Sequence, residues 1–476
     1  LRAGAIPQRD DPQHRPELVM AQAPRPSIAS SQLLSRDQAK TLADRVLAMS
    51  KAEQTRVVIV STWSGNTRFA DARITTSGGV TDTTVTVTVA IGKRQASSST
   101  NVLDDEALTR TVDLALQLAR LSPEDPELQP ELGPQTYQTV NAFVENTADL
   151  DPEARASAVR RTITAATAAG KPAGQIFTAG FLEANARATA VATSNGLFAY
   201  HRTTDADYSV TARTPDGTGS GWARSGARDW NAIDAAAIGR IAAQKAIASR
   251  NPQTIEPGLY TAVLEPQAVN DLIPLLGNAL AARNADEGRS PFSKSGGGNR
   301  IGEKVVDERV TLYSDPTDRG LLGAPFDSQG LPIGRTVWIE NGILKNLAYT
   351  RFWAQKQGKA PTGNALAGGL ALTGGTKSTE EIIAGCARGI LVTHFFYIRS
   401  LDPRTVLQTG LTRDGTFLIE NGKITRSLKN FRWNESPLLM LNRLEDIGRP
   451  EPTEAGRLMP ALRVREFNFT SLSDAV

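Results

Sequence analysis

Apolar and polar positions alternate most regularly in TDTTVTVTVAIGK (81–93), where Val85, Val87, Val89 and Ile91 fall on one side of a strand. Before it, RVVIVSTWSGNTRFADARITTSGG (56–79) predicts a strand, a polar turn and a second strand. Helical patterns flank these segments. SRDQAKTLADRVLAMS (35–50) has Ser35 in an N-cap position and Ala39, Leu42, Val46 and Leu47 on one face. Asp104 and Asp105 open a second amphipathic helix carrying Leu108, Val112, Leu116 and Ala119. A helix, three β segments and a helix describe a compact α+β unit.

The same vocabulary recurs downstream. DPEARASAVRRTITAATAAGK (151–171) predicts a helix with Pro152 in its first turn. Residues 175–213 read as a strand meander turned at Ser194-Asn195-Gly196. An Ala-rich helix over 234–249 ends before RNPQTIEPG (250–258), a Pro-punctuated segment that reads as a domain boundary. Beyond Gly258 strands and turns dominate, and one hairpin design appears twice, in VWIENGILKNL (337–347) and FLIENGKITRSL (417–428). In both, Asn-Gly supplies the positive φ angles of a type I′ turn. The expected organisation is a disordered or extended segment over 1–30, an α+β domain over 31–250 and a β-rich domain over 258–476. Residues 1–30 are rich in Pro, Gln and charge and hold no apolar run, so they read as neither signal peptide nor core. Met20, followed by AQAP, reads as a natural start, with a trimmed secretory signal ending near AQA as the alternative.

Charge and rare residues narrow the function. With 53 basic and 50 acidic residues the formal net charge is only +3, and no dense Lys/Arg block offers a footprint for nucleic acid. No apolar run approaches the roughly 20 residues of a membrane span. A single cysteine, Cys386, excludes an internal disulfide framework and fits a reducing compartment, so a cytoplasmic location is expected. Cys386 ends a helix-like stretch among Ala and Gly, with only Arg388 to activate its thiol, and reads as structural rather than as half of a Cys–His pair with His394.

LVTHFFYIRSLDPRT (391–405) places His394 in an apolar run. As a strand it sets Val392, His394, Phe396 and Ile398 on one face and Thr393, Phe395, Tyr397 and Arg399 on the other. His394 is then a core ring. Tyr397 and Arg399 lead toward Arg413 and Asp414, and these four are the candidate substrate-binding residues. They read either as a cavity lining that grips peptide carbonyls or a carboxylate, or as a solvated ion-pair patch. The Gly-rich stretches SKSGGGNR (293–300) and AGGLALTGGTKS (367–378) lack P-loop spacing and read as flexible loops at a cavity mouth or subunit interface.

NRIGEKVVDERVTLYSDP, IENGILKNLAYTRFWAQKQGKAPTGNA, STEEIIAGCARGILVT and TRDGTFLIENGKI, with NTRFADARIT and TSNGL nearer the N-terminus, resemble the TldD/PmbA family, the so-called modulators of DNA gyrase. The resemblance runs from about Ala39 to the end. It implies an N-terminal α/β domain, a β-rich C-terminal domain and dimers enclosing a narrow cavity. TldD-type members look like zinc metalloproteases, with H-E-x-x-x-H on a helix and a distant cysteine as third ligand. Here the corresponding helix lies within NDLIPLLGNALAARNADEGRSPFSK (270–294), which has no histidine, and no cysteine follows Cys386. Asp286 and Glu287 alone supply no soft ligand. The resemblance therefore implies a metal-free, PmbA-like subunit with no cofactor, acting on unfolded peptides beside a zinc-bearing TldD-type paralogue. The alternative is a homodimeric peptide-binding or scaffolding protein without proteolytic activity. Neither nucleic acid nor membrane is an expected partner.

Overall fold

Ser35 caps the first helix, α1 (Arg36–Met49), in a capping box with Gln38, and the buried face is Ala39, Leu42, Ala43 and Val46. The computed structural model describes residues 32–473; the segment expected over 1–30, with Met20, lies outside them. Strand β1 (Gln54–Ala70) and strand β2 (Arg73–Ile91) pair antiparallel from Gln54↔Ala90 to Ala70↔Arg73. The polar turn predicted within 56–79 is therefore strand, and the chain reverses only at Asp71 and Ala72, with φ 47° and 61°. The Ser/Gly/Asn run resembles a turn, but Gly65 answers a packing need. A Cβ there would lie 2.5 Å from Nη1 of Arg155. RQASSST, unmarked by any apolar alternation, adds the edge strand β3 (Arg94–Thr100).

The chain continues through α2 (Asp105–Leu121), the single turn α3 (Glu145–Ala148) and α4 (Pro152–Gly170). Then come β4 (Phe177–Thr193), β5 (Phe198–Arg213), β6 (Ser220–Ala227) and α5 (Ala235–Ala248). Asp104, Asp151 and Asp234 cap α2, α4 and α5 through side-chain oxygens. The six strands form one antiparallel sheet in the order β3-β2-β1-β4-β5-β6. Helices α1 and α2 cover Val57, Ile59, Val85, Val87 and Val89. Helices α4 and α5 cover Trp63, Leu182 and Tyr208 farther along the same sheet. These four helices pack on one face, which leaves Asp207 of β5 to meet Arg224, and Arg224 in turn reaches Glu454 of the C-terminal half.

A second sheet begins with β7 (Gly258–Leu264), which is followed by two short helices, α6 (Pro266–Leu272) and α7 (Ala282–Asp286). Strands β8 (Thr311–Ser314), β9 (Thr336–Glu340), β10 (Ile343–Leu344) and β11 (Leu370–Thr373) form a wing, with α8 (Arg351–Gln357) between the last two. Helix α9 (Thr379–Ala384) leads into β12 (Arg388–Asp402), β13 (Leu407–Glu420), β14 (Lys423–Ser427) and β15 (Asn430–Glu435). β16 (Leu444–Pro452) and β17 (Arg457–Ser473) end the described chain. Because β7 pairs parallel with β12 and antiparallel with β17, strands β7, β12, β13, β15 and β17 close on themselves. Phe395, Phe431, Trp433, Phe467 and Phe469 fill this barrel. Gly410 makes room for it, since a Cβ there would stand 2.6 Å from the Trp433 ring.

Both Asn-Gly hairpins form, with φ 49° and 77° at Asn341 and Gly342 and 52° and 72° at Asn421 and Gly422. One loop expectation needs correction. Gly374 and Gly375 lie where a Cβ would stand 2.0 Å from the Arg309 carbonyl and 1.9 Å from that of Ile447. This part of 367–378 is a tight backbone crossing rather than a flexible loop. Gly296, Gly297 and Gly298 of the other loop do stand in open space, at φ 91°, 108° and 80°.

Candidate functional site

The β12–β13 ribbon carries the candidate residues, and two register slips decide where they point. The pairing shifts between Val392 and His394 and again between Phe396 and Arg399. Left-handed residues mark both places, Asp414 at φ 53° and Tyr397 at φ 55°. The strict alternation predicted for 391–399 therefore fails. Thr393, His394 and Phe395 are buried in succession, whereas Phe396 and Tyr397 are 42% and 58% exposed. Phe396 does not share the burial of His394, and Phe395 does not share the exposure of Tyr397.

His394 is held between the two sheets. Its Nε2 lies 3.0 Å from Oδ2 of Asp414, and its ring stacks on Trp222 of β6 with centroids 4.6 Å apart. Ser220, also on β6, donates its hydroxyl to the other oxygen of Asp414. The neighbouring Phe395 amide donates to Asp271 at 2.7 Å, and Gln267 donates to the same carboxylate at 2.9 Å. Burial acts to raise the Asp414 carboxyl, but the His394 and Ser220 hydrogen bonds and the nearby His394 and Arg413 charges bring it below its usual value. Asp271 is pushed the other way by burial, which its hydrogen bonds only partly offset. Ser, Asp and His do meet here, but the carboxylate is central and both other groups donate to it. A nucleophile–base pair needs the histidine against the hydroxyl, so this geometry ties the two sheets together instead.

Of the four predicted site residues, Tyr397 and Arg399 are exposed, Arg413 is half-buried and Asp414 is buried. The Arg399 guanidinium lies 4.3 Å from the Tyr397 ring centroid, and that of Arg413 lies 4.2 Å from the Phe396 centroid. Nε of Arg413 is 3.7 Å from Asp414. Asp414 itself is only 6% exposed and already engaged. Phe396 belongs with the exposed group and was missed, because period-two reasoning placed it inside.

Residues 274–289 line a cavity of about 900 Å³. The helix predicted within 270–294 is broken there: a 3-10 turn at Ile273–Leu276 separates α6 from α7, and Pro274 lacks the amide an α-helix would use. Its lining includes Asn278, Asn284 and Arg289, with Gln408 and Arg457 from β13 and β17. None of these is a zinc ligand of the usual kind. The carboxylates of the same segment are occupied. Asp286 accepts from Asn299 at 2.6 Å and from Trp353 at 2.7 Å, and Glu287 pairs with Arg283 at 3.1 Å and with Arg289. Cys386 packs elsewhere with Val263, Ile382 and Leu391, and burial pushes its thiol up. Between Arg388 and His394 the strand advances six residues, about 20 Å, so no Cys–His pair forms. Among the described residues no three His, Cys, Asp or Glu side chains are placed to hold a metal. The donors present do not fit zinc.

Asn278, Gln408, Arg457, Ser220, Trp222 and Asp271 escaped the sequence reading, since no local pattern joins residues this far apart in the chain.

A helix-covered antiparallel sheet joined to a closed five-stranded barrel, with a cavity at a broken helix, defines a mixed α+β class of two-sheet proteins. The chain belongs to the PmbA/TldD family: residues 56–119, 145–250 and 257–471 match domain 1, the central domain and the C-terminal domain of the PmbA/TldA metallopeptidases. It is similar to a metalloprotease of Methanothermobacter thermautotrophicus, 26% identical over 227 residues that cover 44% of this chain and 47% of the relative. A metalloprotease PmbA homologue of Haemophilus influenzae is 23% identical over 355 residues, covering 71% and 74%. The chain spans between 25% and 47% of the length of the first three curated relatives it matches. In structure it is similar to TldE from Thermococcus kodakarensis, with a TM-score of 0.80 at 18% identity, covering 90% of this chain and 99% of that one.

Proposed function

We propose that this chain is a metal-free, PmbA-like subunit of a TldD/PmbA-type metalloprotease assembly. It holds unfolded peptides while a zinc-bearing paralogue cleaves them. The observation that carries this reading is the cavity wall. Where a zinc enzyme needs imidazole or thiolate, residues 274–289 present Asn278, Asn284 and Arg289, and Asp286 and Glu287 are tied to other side chains. Carboxamides both donate and accept, which suits a peptide backbone. The names of the relatives support the proteolytic side of the proposal. No helix among the described residues is long and apolar enough to cross a membrane, and the lone cysteine suits the cytoplasm.

The test is purification alone and after co-expression with a zinc-bearing paralogue. The chain alone is expected to retain far less than one zinc per chain after dialysis against a weak chelator and to cleave nothing. With the paralogue it is expected to co-purify and enhance peptide cleavage. About one zinc retained by the chain alone would sink the metal-free assignment. Peptide binding without paralogue association would favour the homodimeric binding protein.

We assign the first peptide contacts to Tyr397, Arg399 and Arg413, with Asp414 anchoring the ribbon beneath them. The support is the stacking of two guanidinium groups on the exposed rings of Tyr397 and Phe396, which sets cationic donors beside aromatic surface. Arg413→Ala is expected to weaken capture of an unfolded peptide about ten- to a hundredfold, the effect of losing a charge-assisted contact. Fluorescence anisotropy measures it, and unchanged affinity would reduce these residues to a solvated patch.

A further inference from the structure

Among the described residues that line the 900 Å³ cavity there is no Asp or Glu, whereas Arg289 and Arg457 both reach it. The two differ in what holds them. Arg289 is paired with Glu287 at 2.5 Å. Among the described residues the carboxylate paired with Arg457, the first residue of β17, is that of Glu454, whose oxygen lies 3.6 Å from Nε, beyond hydrogen-bond reach. Its Nη1 is buried without an acceptor among the described residues. A half-buried guanidinium with an unsatisfied N–H is costly unless something accepts from it. The other polar groups of the wall include Asn278, Asn284 and Gln408, whose amides supply donors without adding negative charge. A planar fork of N–H groups in an acid-free, amide-lined cavity suits a carboxylate.

We propose that the cavity recognises a carboxylate on the peptide through Arg457. This deepens the peptide-holding function proposed above and rests on it. Two sources carry that chemistry, the C-terminal carboxylate of a chain and an Asp or Glu side chain within it, and a three-peptide comparison separates them. One unfolded peptide ends in a free acid and has no acidic side chain; the second is its C-terminal amide; the third is the amide with one internal Asp.

With the full chain, the free-acid peptide is expected to bind about ten- to a hundredfold more tightly than the plain amide. Arg457→Gln is expected to abolish that preference while leaving binding of the plain amide within about threefold. Tighter binding of the Asp-containing amide, lost in the same variant, assigns an acidic side chain as the source. Because Arg457 is half-buried, Arg457→Lys is measured alongside; it keeps the charge without the fork and is expected to retain only part of the preference. If neither Arg457 variant folds, Arg289→Gln with rising salt provides the second measurement. A free-acid preference that falls with salt supports a cationic carboxylate site. Equal binding of all three peptides by the parent chain overturns the carboxylate assignment and leaves the peptide-holding function standing. Binding of no peptide overturns both.

Discussion

Asp414→Ala is expected to lower the stability of the folded chain by about 3–5 kcal/mol, the cost of removing one partner from a buried ionic cluster. His394 and Ser220 would each keep a buried donor with no acceptor, and these two residues come from the two sheets that meet at this point. The position is also left-handed at φ 53°, which Ala disfavours by a further 1–2 kcal/mol or so. Asn tolerates that backbone, so Asp414→Asn isolates the charge and is expected to cost roughly half as much. The pH dependence has a definite sign. Although burial opposes it, the hydrogen bonds from His394 and Ser220 place the folded carboxyl below its ordinary value. Its stabilisation is therefore complete above the unfolded value near 3.9, and is lost as pH falls through the folded value. Urea unfolding at neutral pH and across the acid range measures both. A cost under about 1 kcal/mol for Asp414→Ala, or an acid limb unchanged in Asp414→Asn, would show that the cluster does not join the sheets.

Arg155→Ala is expected to destabilise the first sheet by roughly 3–5 kcal/mol, combining a large cavity with unpaired buried acceptors. Arg155 is only 1% exposed and lies in the first turns of α4. Its guanidinium donates to the Leu150 carbonyl at 2.6 Å, the Gly78 carbonyl at 3.0 Å and the Thr67 hydroxyl at 3.1 Å. One side chain thus ties the start of a helix to both strands of the long β1–β2 ribbon. Burial lowers its pKa and Asp151 only partly compensates, so the site carries a real desolvation cost. Arg155→Met keeps much of the volume and is expected to lose about half as much. Thermal and urea unfolding measure the difference. A nearly neutral Arg155→Met would mean that this desolvation cost cancels the three hydrogen bonds.

The β1–β2 ribbon shows why part of the fold escaped the sequence. Val85, Val87 and Val89 alternate and are buried, as their pattern requires. Residues 61–67 are just as much strand, but Ser, Gly, Asn and Thr pair across the ribbon for reasons outside their own segment. Gly65 is small because Arg155, 90 positions later, needs the space. The same holds at the candidate site. Tyr397, Arg399 and Arg413 were legible as an aromatic and cationic group near one ribbon. Their division from Asp414 was not, because two bulges change which residues face inward.

By itself the sequence determined what near neighbours encode. Asp104, Asp151 and Asp234 cap their helices through amides two or three residues ahead, and each Asn-Gly pair turns its own hairpin. The motif order also determined the family, since those quoted stretches are read in sequence. Only the tertiary structure decided that β7 closes a barrel by pairing with both β12 and β17. It alone brought Ser220 to Asp414, 194 residues apart, and placed His394 against Trp222. Among the described residues it also left Nη1 of Arg457 without an acceptor, on the wall of a cavity lined by no Asp or Glu. Capping and turn formation need only the chain's immediate neighbours and so leave a local signature. Barrel closure, burial of charge and the lining of a cavity depend on which distant surfaces exclude water together, and no short stretch of sequence carries that.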